Sequence, residues 1–414
     1  MQHAERGVWN NPEFLKMWVG GSVSAVGSQV TTLALPLIAV LLFNAGPAQT
    51  GLLTAAGLAP HLFFGLVAGV WVDRLPRRPI RIVADGLSAL MMAAVSLAAV
   101  LGVLSLELLY VATFVSGTLT VFSRLAQSAL MPRLVSRRYL LEANGAYLGA
   151  WAVAQILGPS IAGVLMQLAA PPIVLLLDAA TFAFSSACYV LVVEPPSDGP
   201  APPRSGVLTE IKEGLSWLGG NQVLLRLTVS IGLANLAWFA VQAIMVPFAT
   251  RDLALSPAEL GLALGVMGPF SLVGAIIAAR TARLIGLGPT LVASLSGELL
   301  SRIVLVLASG PQVVAASLLG GSQAIFGLIA PLWDVNSSAL RQAITPERLL
   351  GRVSAASSFV GLGTAPIGAL LGGFIGDAAG PRAALLAAAL VTGVAVACLL
   401  VPSVLQLRAP STDA

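Results

Sequence analysis

Gly69-Val-Trp-Val-Asp-Arg-Leu-Pro-Arg-Arg78 closes one long apolar run and precedes another. Asp73, Arg74, Arg77 and Arg78 fall within six positions, and Arg81 follows just beyond. The 414-residue chain around them is 57% hydrophobic and only 10% charged, against roughly 25% charged in a soluble domain. Hydrocarbon rejects a cluster of that kind. The stretch therefore fixes a water-facing turn between two membrane spans.

Outward from this turn, apolar runs of the roughly 20 residues needed to cross a bilayer occur throughout. They lie near 14–42, 50–72, 80–104, 108–131, 144–167 and 172–193, then near 223–248, 258–280, 289–309, 312–334, 354–376 and 380–402. This pattern predicts an all-α integral membrane protein of 12 transmembrane helices. A β-barrel is excluded, because the runs show no alternation of apolar and polar positions. Pro36, Pro60, Pro159, Pro269, Pro331 and Pro366 interrupt several runs. Membrane helices tolerate this because neighbouring helices satisfy the freed backbone groups.

Basic residues gather in the even-numbered turns: Arg74, Arg77, Arg78 and Arg81; Arg133, Arg137 and Arg138; Arg204, Lys212 and Arg226; Arg280 and Arg283; Arg341, Arg348 and Arg352. Odd-numbered turns hold Arg251 and Arg382. With an even span count, the positive-inside rule puts the N- and C-termini in the cytoplasm. The net charge of +4 follows from that bias, and no nucleic-acid partner is implied. The polar first residues and the long first run do not read as a cleavable signal peptide. Cys188 and Cys398 sit in separate apolar runs and read as small packing residues.

The chain also repeats itself at an offset of about 205–210 residues. Gly69 and Arg78 answer Gly274 and Arg283; Ser128-Ala-Leu130 answers Ser338-Ala-Leu340; Gly158 and Gly163 answer Gly368 and Gly373. Two six-helix pseudo-repeats are expected, an N-terminal bundle over 1–195 and a C-terminal bundle over 223–414. Between them, 196–222 reads as a cytoplasmic linker. It opens on the Pro-rich Glu194–Arg204 stretch, which cannot be helix or sheet. It continues as a helix with Leu208, Ile211, Leu215 and Leu218 on one apolar face, suited to the membrane interface.

The spacing G-x-x-x-D-R-x-x-R-R at Gly69, Asp73, Arg74, Arg77 and Arg78 resembles the loop signature of the major facilitator superfamily of secondary transporters, with Pro76 where the family usually has Gly. A rocking transporter needs an interface that holds in one state and breaks in another. Gly69 allows close helix approach, Asp73 suits a helix N-terminus, and the arginines suit rim carboxylates. The plainer alternative is a positive-inside anchor, which any basic cluster would supply. In the fifth run, Gly145, Ala154, Gly158, Pro159, Ala162 and Gly163 resemble the antiporter motif of that family's exporters, with two glycines replaced by alanine. Its plainer alternative is ordinary small-residue packing.

The stretch Asn336–Val353, with Arg341, Gln342, Pro346, Arg348, Gly351 and Arg352, closely resembles a loop of the macrolide-efflux and enterobactin-exporter branch. Phe122–Asn144 and Asp178-Ala-Ala-Thr-Phe182 resemble the same branch, so the similarity runs over about residues 10–405. It implies export of drugs or siderophores driven by the proton-motive force. It also implies that the first, fourth, seventh and tenth spans line a cavity while the third, sixth, ninth and twelfth lie outside.

Ionisable groups inside spans are costly and invite a reason. Glu298 and Arg302 are spaced i,i+4 and can neutralise each other. Asp85, near the cytoplasmic end of its run, suits a pairing with the arginines of the first loop. Glu298, Asp178 and His61 are the candidates for proton coupling. Gln29, Arg124, Gln155, Asn235, Trp238, Gln242 and Gln323 are the candidates for cavity lining. Arg124-Leu-Ala-Gln127 resembles an R-x-x-Q element of other drug antiporters, set closer to the following basic loop than that motif requires. Trp238, with Phe239 and Phe270 near it in the sequence, suits stacking on an aromatic ligand.

No phosphate loop, nucleophile elbow or metal-ligand spacing occurs, so an enzyme is not expected, and neither a cofactor nor a metal is implied. The combined expectation is a monomeric transporter of the inner membrane. It would export amphipathic small molecules (drug, macrolide or siderophore-like) by alternating access, in exchange for protons. An importer or lipid translocator on the same scaffold, and a non-transporting membrane sensor, stay open as alternatives.

Overall fold

Inside lipid, a backbone amide finds no water, so a spanning segment closes its hydrogen bonds on its own turns. The computed structural model describes the backbone of residues 7–194 and 207–407, with the side chains of those ranges apart from 65–74 and 207–211. All regular structure among the described residues is helical. The first six long helices are α1 (Pro12–Phe43), α2 (Pro47–Arg74), α3 (Arg77–Val100), α4 (Leu106–Leu134), α5 (Leu140–Leu168) and α6 (Pro171–Val190). The shorter α7 (Val207–Gly220) precedes α8 (Gln222–Pro247), α9 (Pro257–Gly265), α10 (Met267–Ile285) and α11 (Leu287–Val306). Then come α12 (Gln312–Ile344), α13 (Glu347–Ala379), α14 (Pro381–Leu399) and the single turn α15 (Pro402–Leu405).

Helix ends follow local chemistry. The Asn11 side chain accepts hydrogen bonds from the amides of Glu13 and Phe14, with Pro12 at the first helical position. Ser105 and Asn221 cap α4 and α8 through the amides of Leu108 and Leu224. The turns between α10 and α11 and between α13 and α14 are made by Gly286 and Gly380 at φ 95° and 89°, a region that favours glycine. Pro269 removes the amide that would bond back to Gly265, and the helix divides there into α9 and α10. Together these two form one stretch long enough to cross a membrane.

Among the described residues, 11 helices are long and apolar enough to span. The second expected run, 50–72, falls within α2, whose last ten side chains lie outside the described residues.

The chain divides into two compact units. One comprises Met1–Asn44, Ala56–Pro203 and Ser256–Gly261; the other comprises Ala45–Ala55, Arg204–Leu255 and Leu262–Ala414. In the first, Phe14, Met17, Leu130, Met131 and Tyr189 pack into one apolar cluster. In the second, Leu291, Leu295, Trp333, Val353 and Leu399 do the same. In the linker helix α7, Leu218 is 2% exposed and Leu215 40% exposed, so the edge packed against protein runs through Gly214 and Leu218. The reason is close backbone approach, because a side-chain carbon at Gly214 would strike the Arg352 carbonyl of α13. Leu208 and Ile211 lie outside the described side chains, as does the Pro-rich stretch after Glu194.

Glycines set two helix crossings. In the first unit, a side-chain carbon at Gly163 of α5 would lie 2.8 Å from the Cα of Gly261 on α9, and the converse distance is also 2.8 Å. In the second unit, a carbon at Gly51 of α2 would lie 2.8 Å from the Cα of Gly373 on α13. Gly163 and Gly373 are 210 residues apart, and so are Gly51 and Gly261. The same backbone-to-backbone contact is thus made twice, once in each unit.

Candidate functional site

At the basic end of the first unit, the side chains of Gly69, Asp73 and Arg74 lie outside the described residues. Arg77 and Arg78 open α3. Arg78 donates through Nε to the Tyr189 carbonyl at 3.0 Å and through Nη2 to the Val190 carbonyl. These are orphan carbonyls at the end of α6, where positive charge is favoured. Lys16 does the same for Leu191. The rim carboxylate Glu194 is held by Arg133 of α4 and accepts the Arg78 amide. The arginine turn is therefore tied to α6 through both carbonyls and a carboxylate.

One helical turn deeper is a buried network that sequence reasoning reaches only in part. Arg81 (6% exposed) donates through Nε to Asp85 (0% exposed) at 2.9 Å. Its Nη1 donates to Gln127 Oε1 at 2.8 Å, and its face covers the Tyr189 ring at 4.8 Å. Ser123 and Ser185 donate to the two Asp85 oxygens at 2.8 and 2.6 Å. Helices α3, α4 and α6 meet here through groups that leave the Asp85 carboxylate satisfied, which is the condition for holding an ion pair out of water. Asp85 was expected to pair with the arginines of the first loop, and Arg81 is the one it takes. Gln127, Ser123 and Ser185 were not legible, since nothing in the sequence says which face of α4 and α6 they share.

Asp178 of α6 is 2% exposed and accepts hydrogen bonds from the Thr31 and Thr181 hydroxyls. A side chain at Gly27 would collide with both Asp178 and Thr181, so that glycine is what lets α6 lay its carboxylate on α1. Among the described residues no basic side chain pairs with Asp178. His61 of α2 is half-buried and its Nδ1 has no hydrogen-bond partner among the described residues.

Arg124 of α4 is exposed, with its guanidinium 5.3 Å from the Trp151 ring centre on α5. Gln155 is exposed one turn along the same helix. Along α5, Gly145 has nothing within 4 Å of a would-be side chain, Ala154 and Ala162 are fully buried, and Gly158 seats the Gln29 side chain of α1. Gln29 is half-buried, with its Cβ seated over Gly158. Pro159 offers its carbonyl to the Gly261 crossing.

In the second unit, Glu298 and Arg302 form the expected pair at 3.0 Å, both buried, and Arg302 also donates to the Ala234 carbonyl. Asn235 donates to the Gly361 carbonyl at 3.1 Å and Gln323 is buried; Gln242 is half-buried. Trp238 stacks on Phe326 of α12, centroids 4.0 Å apart and 12° from parallel. The sequence neighbours Phe239 and Phe270 do not supply that partner. In the second loop, Asn336 donates to the Ala278 carbonyl of α10, and Arg352 pairs with Glu213 of α7. Arg341 is half-buried, while Gln342, Pro346, Arg348 and Gly351 are exposed. Among the described residues no group of three His, Cys, Asp or Glu side chains gathers as metal ligands would.

Apolar helices of spanning length, with ion pairs buried in their packing, define a multi-pass helical membrane protein. The model of the Major Facilitator Superfamily matches residues 17–242 and 227–413, and the chain belongs to that family. It is a transporter, not an enzyme.

It is 28% identical over 381 residues to the multidrug efflux pump Tap of Mycolicibacterium fortuitum, covering 89% of this chain and 90% of that protein. It is 24% identical over 417 residues to macrolide efflux protein A of Streptococcus pyogenes, covering 95% and 97%. Among solved structures, a bacterial homologue of the iron transporter ferroportin in an inward-facing state superposes with a TM-score of 0.74 at 16% identity, over 94% of this chain and 97% of that one. The nucleoside transporter NupG superposes with a TM-score of 0.72 at 12% identity, over 94% and 97%.

Proposed function

We propose that this chain exports amphipathic small molecules from the cytoplasm by alternating access, with proton inflow driving their expulsion. The observation that carries the reading is the pair of glycine crossings, Gly163 with Gly261 and Gly51 with Gly373. Crossings of bare backbone have no interlocking side chains, so they can part and re-form with little repacking. Their occurrence at matched positions of two repeats suits a rocking cycle. The near-full-length similarity to multidrug and macrolide efflux pumps supports the outward direction and the amphipathic cargo. In this reading the chain has 12 spans with both termini in the cytoplasm. The Gly69, Asp73, Arg74, Arg77 and Arg78 turn gates the cytoplasmic side.

Asp178 is assigned to proton coupling. It is a buried carboxyl at the α1–α6 contact, with hydroxyl partners and no basic one among the described residues. Glu298 is engaged by Arg302, which makes it a packing pair. The test is uptake of a panel of fluorescent amphiphiles into everted membrane vesicles carrying the protein. Uptake is expected to follow an imposed pH gradient, to collapse with a protonophore, and to lose its gradient-dependent part in Asp178→Asn. Equal uptake with and without the protein across the whole panel would overturn the reading.

A further inference from the structure

Among the described residues, Arg124 of α4 has no acidic partner. At about 1.5 Å per residue, it lies roughly 15 Å from the end of α4 at Leu134, inside the spanning stretch. An exposed arginine at that depth is strongly disfavoured against lipid, so its face of α4 lines the aqueous interior. Among the described acidic groups of the same unit, Asp85 is engaged by Arg81, Asp178 by Thr31 and Thr181, Glu13 by Lys16, and Glu194 by Arg133, while Glu107 and Glu142 lie in the first turns of α4 and α5. Among the described residues none pairs with Arg124. What it does contact is the Trp151 ring, and two turns along α4 Gly117 packs on Gly57 and Pro60 of α2, next to His61. The Nδ1 of that imidazole is buried and unpartnered among the described residues.

We propose that Arg124, Trp151 and His61 form a recognition site for cargo that joins an anionic oxygen group, such as a carboxylate or ionised phenol, to an aromatic body. This rests on the export reading above and names its substrate class. The guanidinium fork takes two oxygens at once, the indole offers a flat apolar face, and a protonated Nδ1 of His61 donates a hydrogen bond. Binding an anion neutralises Arg124. The same cluster repels a cationic amphiphile, so discrimination comes from repulsion as well as attraction.

Two probes of matched shape test this on the purified full-length chain: carboxyfluorescein, which is anionic, and a cationic rhodamine ester. Binding is followed by fluorescence anisotropy. Carboxyfluorescein is expected to bind at least about tenfold more tightly, the difference one charge-assisted contact supplies. Arg124→Gln should erase that preference, Arg124→Lys should keep part of it, and Trp151→Leu should weaken both probes. Arg124 is exposed, so its substitution leaves packing intact, and co-elution of the variant with the parent protein checks this.

Equal or tighter binding of the rhodamine ester, or unchanged carboxyfluorescein binding in Arg124→Gln, would overturn the site. Uptake into everted vesicles is scored separately. Arg124-dependent binding without gradient-driven uptake of any probe sinks the export reading and leaves the site standing. Export of the rhodamine ester with Arg124→Gln silent does the reverse.

Discussion

Arg81 and Asp85 show how much a single side chain can depend on its surroundings. Their charges are buried at 6% and 0% exposure, so either one alone would be an unpaired ion out of water. Asp85→Ala should therefore cost about 3–5 kcal/mol, read as a lowered unfolding temperature in detergent and a reduced yield in the membrane. Asp85→Asn keeps one acceptor oxygen for Ser123 or Ser185 and fills the same space, and should cost less. An Arg81→Met, Asp85→Leu double variant should be closer to the parent than Asp85→Ala is, because it leaves no stranded charge. If the double variant is the least stable, the pair is worth more than its desolvation.

At this scale the sequence was informative wherever partners share a helix. Glu298 and Arg302 were legible from their spacing alone. Trp238 and Phe326 were not, because their stacking depends on how α8 and α12 turn toward each other.

Elements meet where side chains are smallest. At Gly163, Gly261, Gly51 and Gly373 the missing side chain is what permits contact, and adding bulk in a tight contact typically costs about 1–3 kcal/mol. Gly163→Val and Gly373→Val are each expected to leave membrane insertion intact while abolishing gradient-driven uptake in everted vesicles. Gly145→Val is the matched control, because nothing lies within 4 Å of its added carbon, and it should transport like the parent. Loss of transport in Gly145→Val with activity retained in Gly163→Val would reverse the assignment.

The fifth-run motif was legible as a small-residue face, yet its spacing could not tell which glycines touch a neighbour. Only Gly158 and Gly163 do so, because α5 turns Gly145 toward open space. In the linker helix the helical period was readable, whereas the packing of Gly214 on the Arg352 backbone was not.

For the whole molecule, the spans were readable because lipid leaves the backbone one solution and the side chains one composition. Glycines recurring 210 residues apart, Gly163 with Gly373 among them, make close helix crossings in the two units. The buried polar contacts joining α3, α4 and α6 were not readable, since a hydrogen bond between helices leaves no trace in the order of residues. The account as a whole requires two like-oriented six-helix halves, with Arg77 and Arg341 on the same side of the bilayer. Single cysteines at those two positions, in a chain carrying Cys188→Ser and Cys398→Ser, report this by reaction with a membrane-impermeant maleimide. Both are expected to label in everted vesicles and to resist labelling in intact cells. Labelling of one from outside and the other from inside would contradict the duplicated architecture and the export cycle built on it.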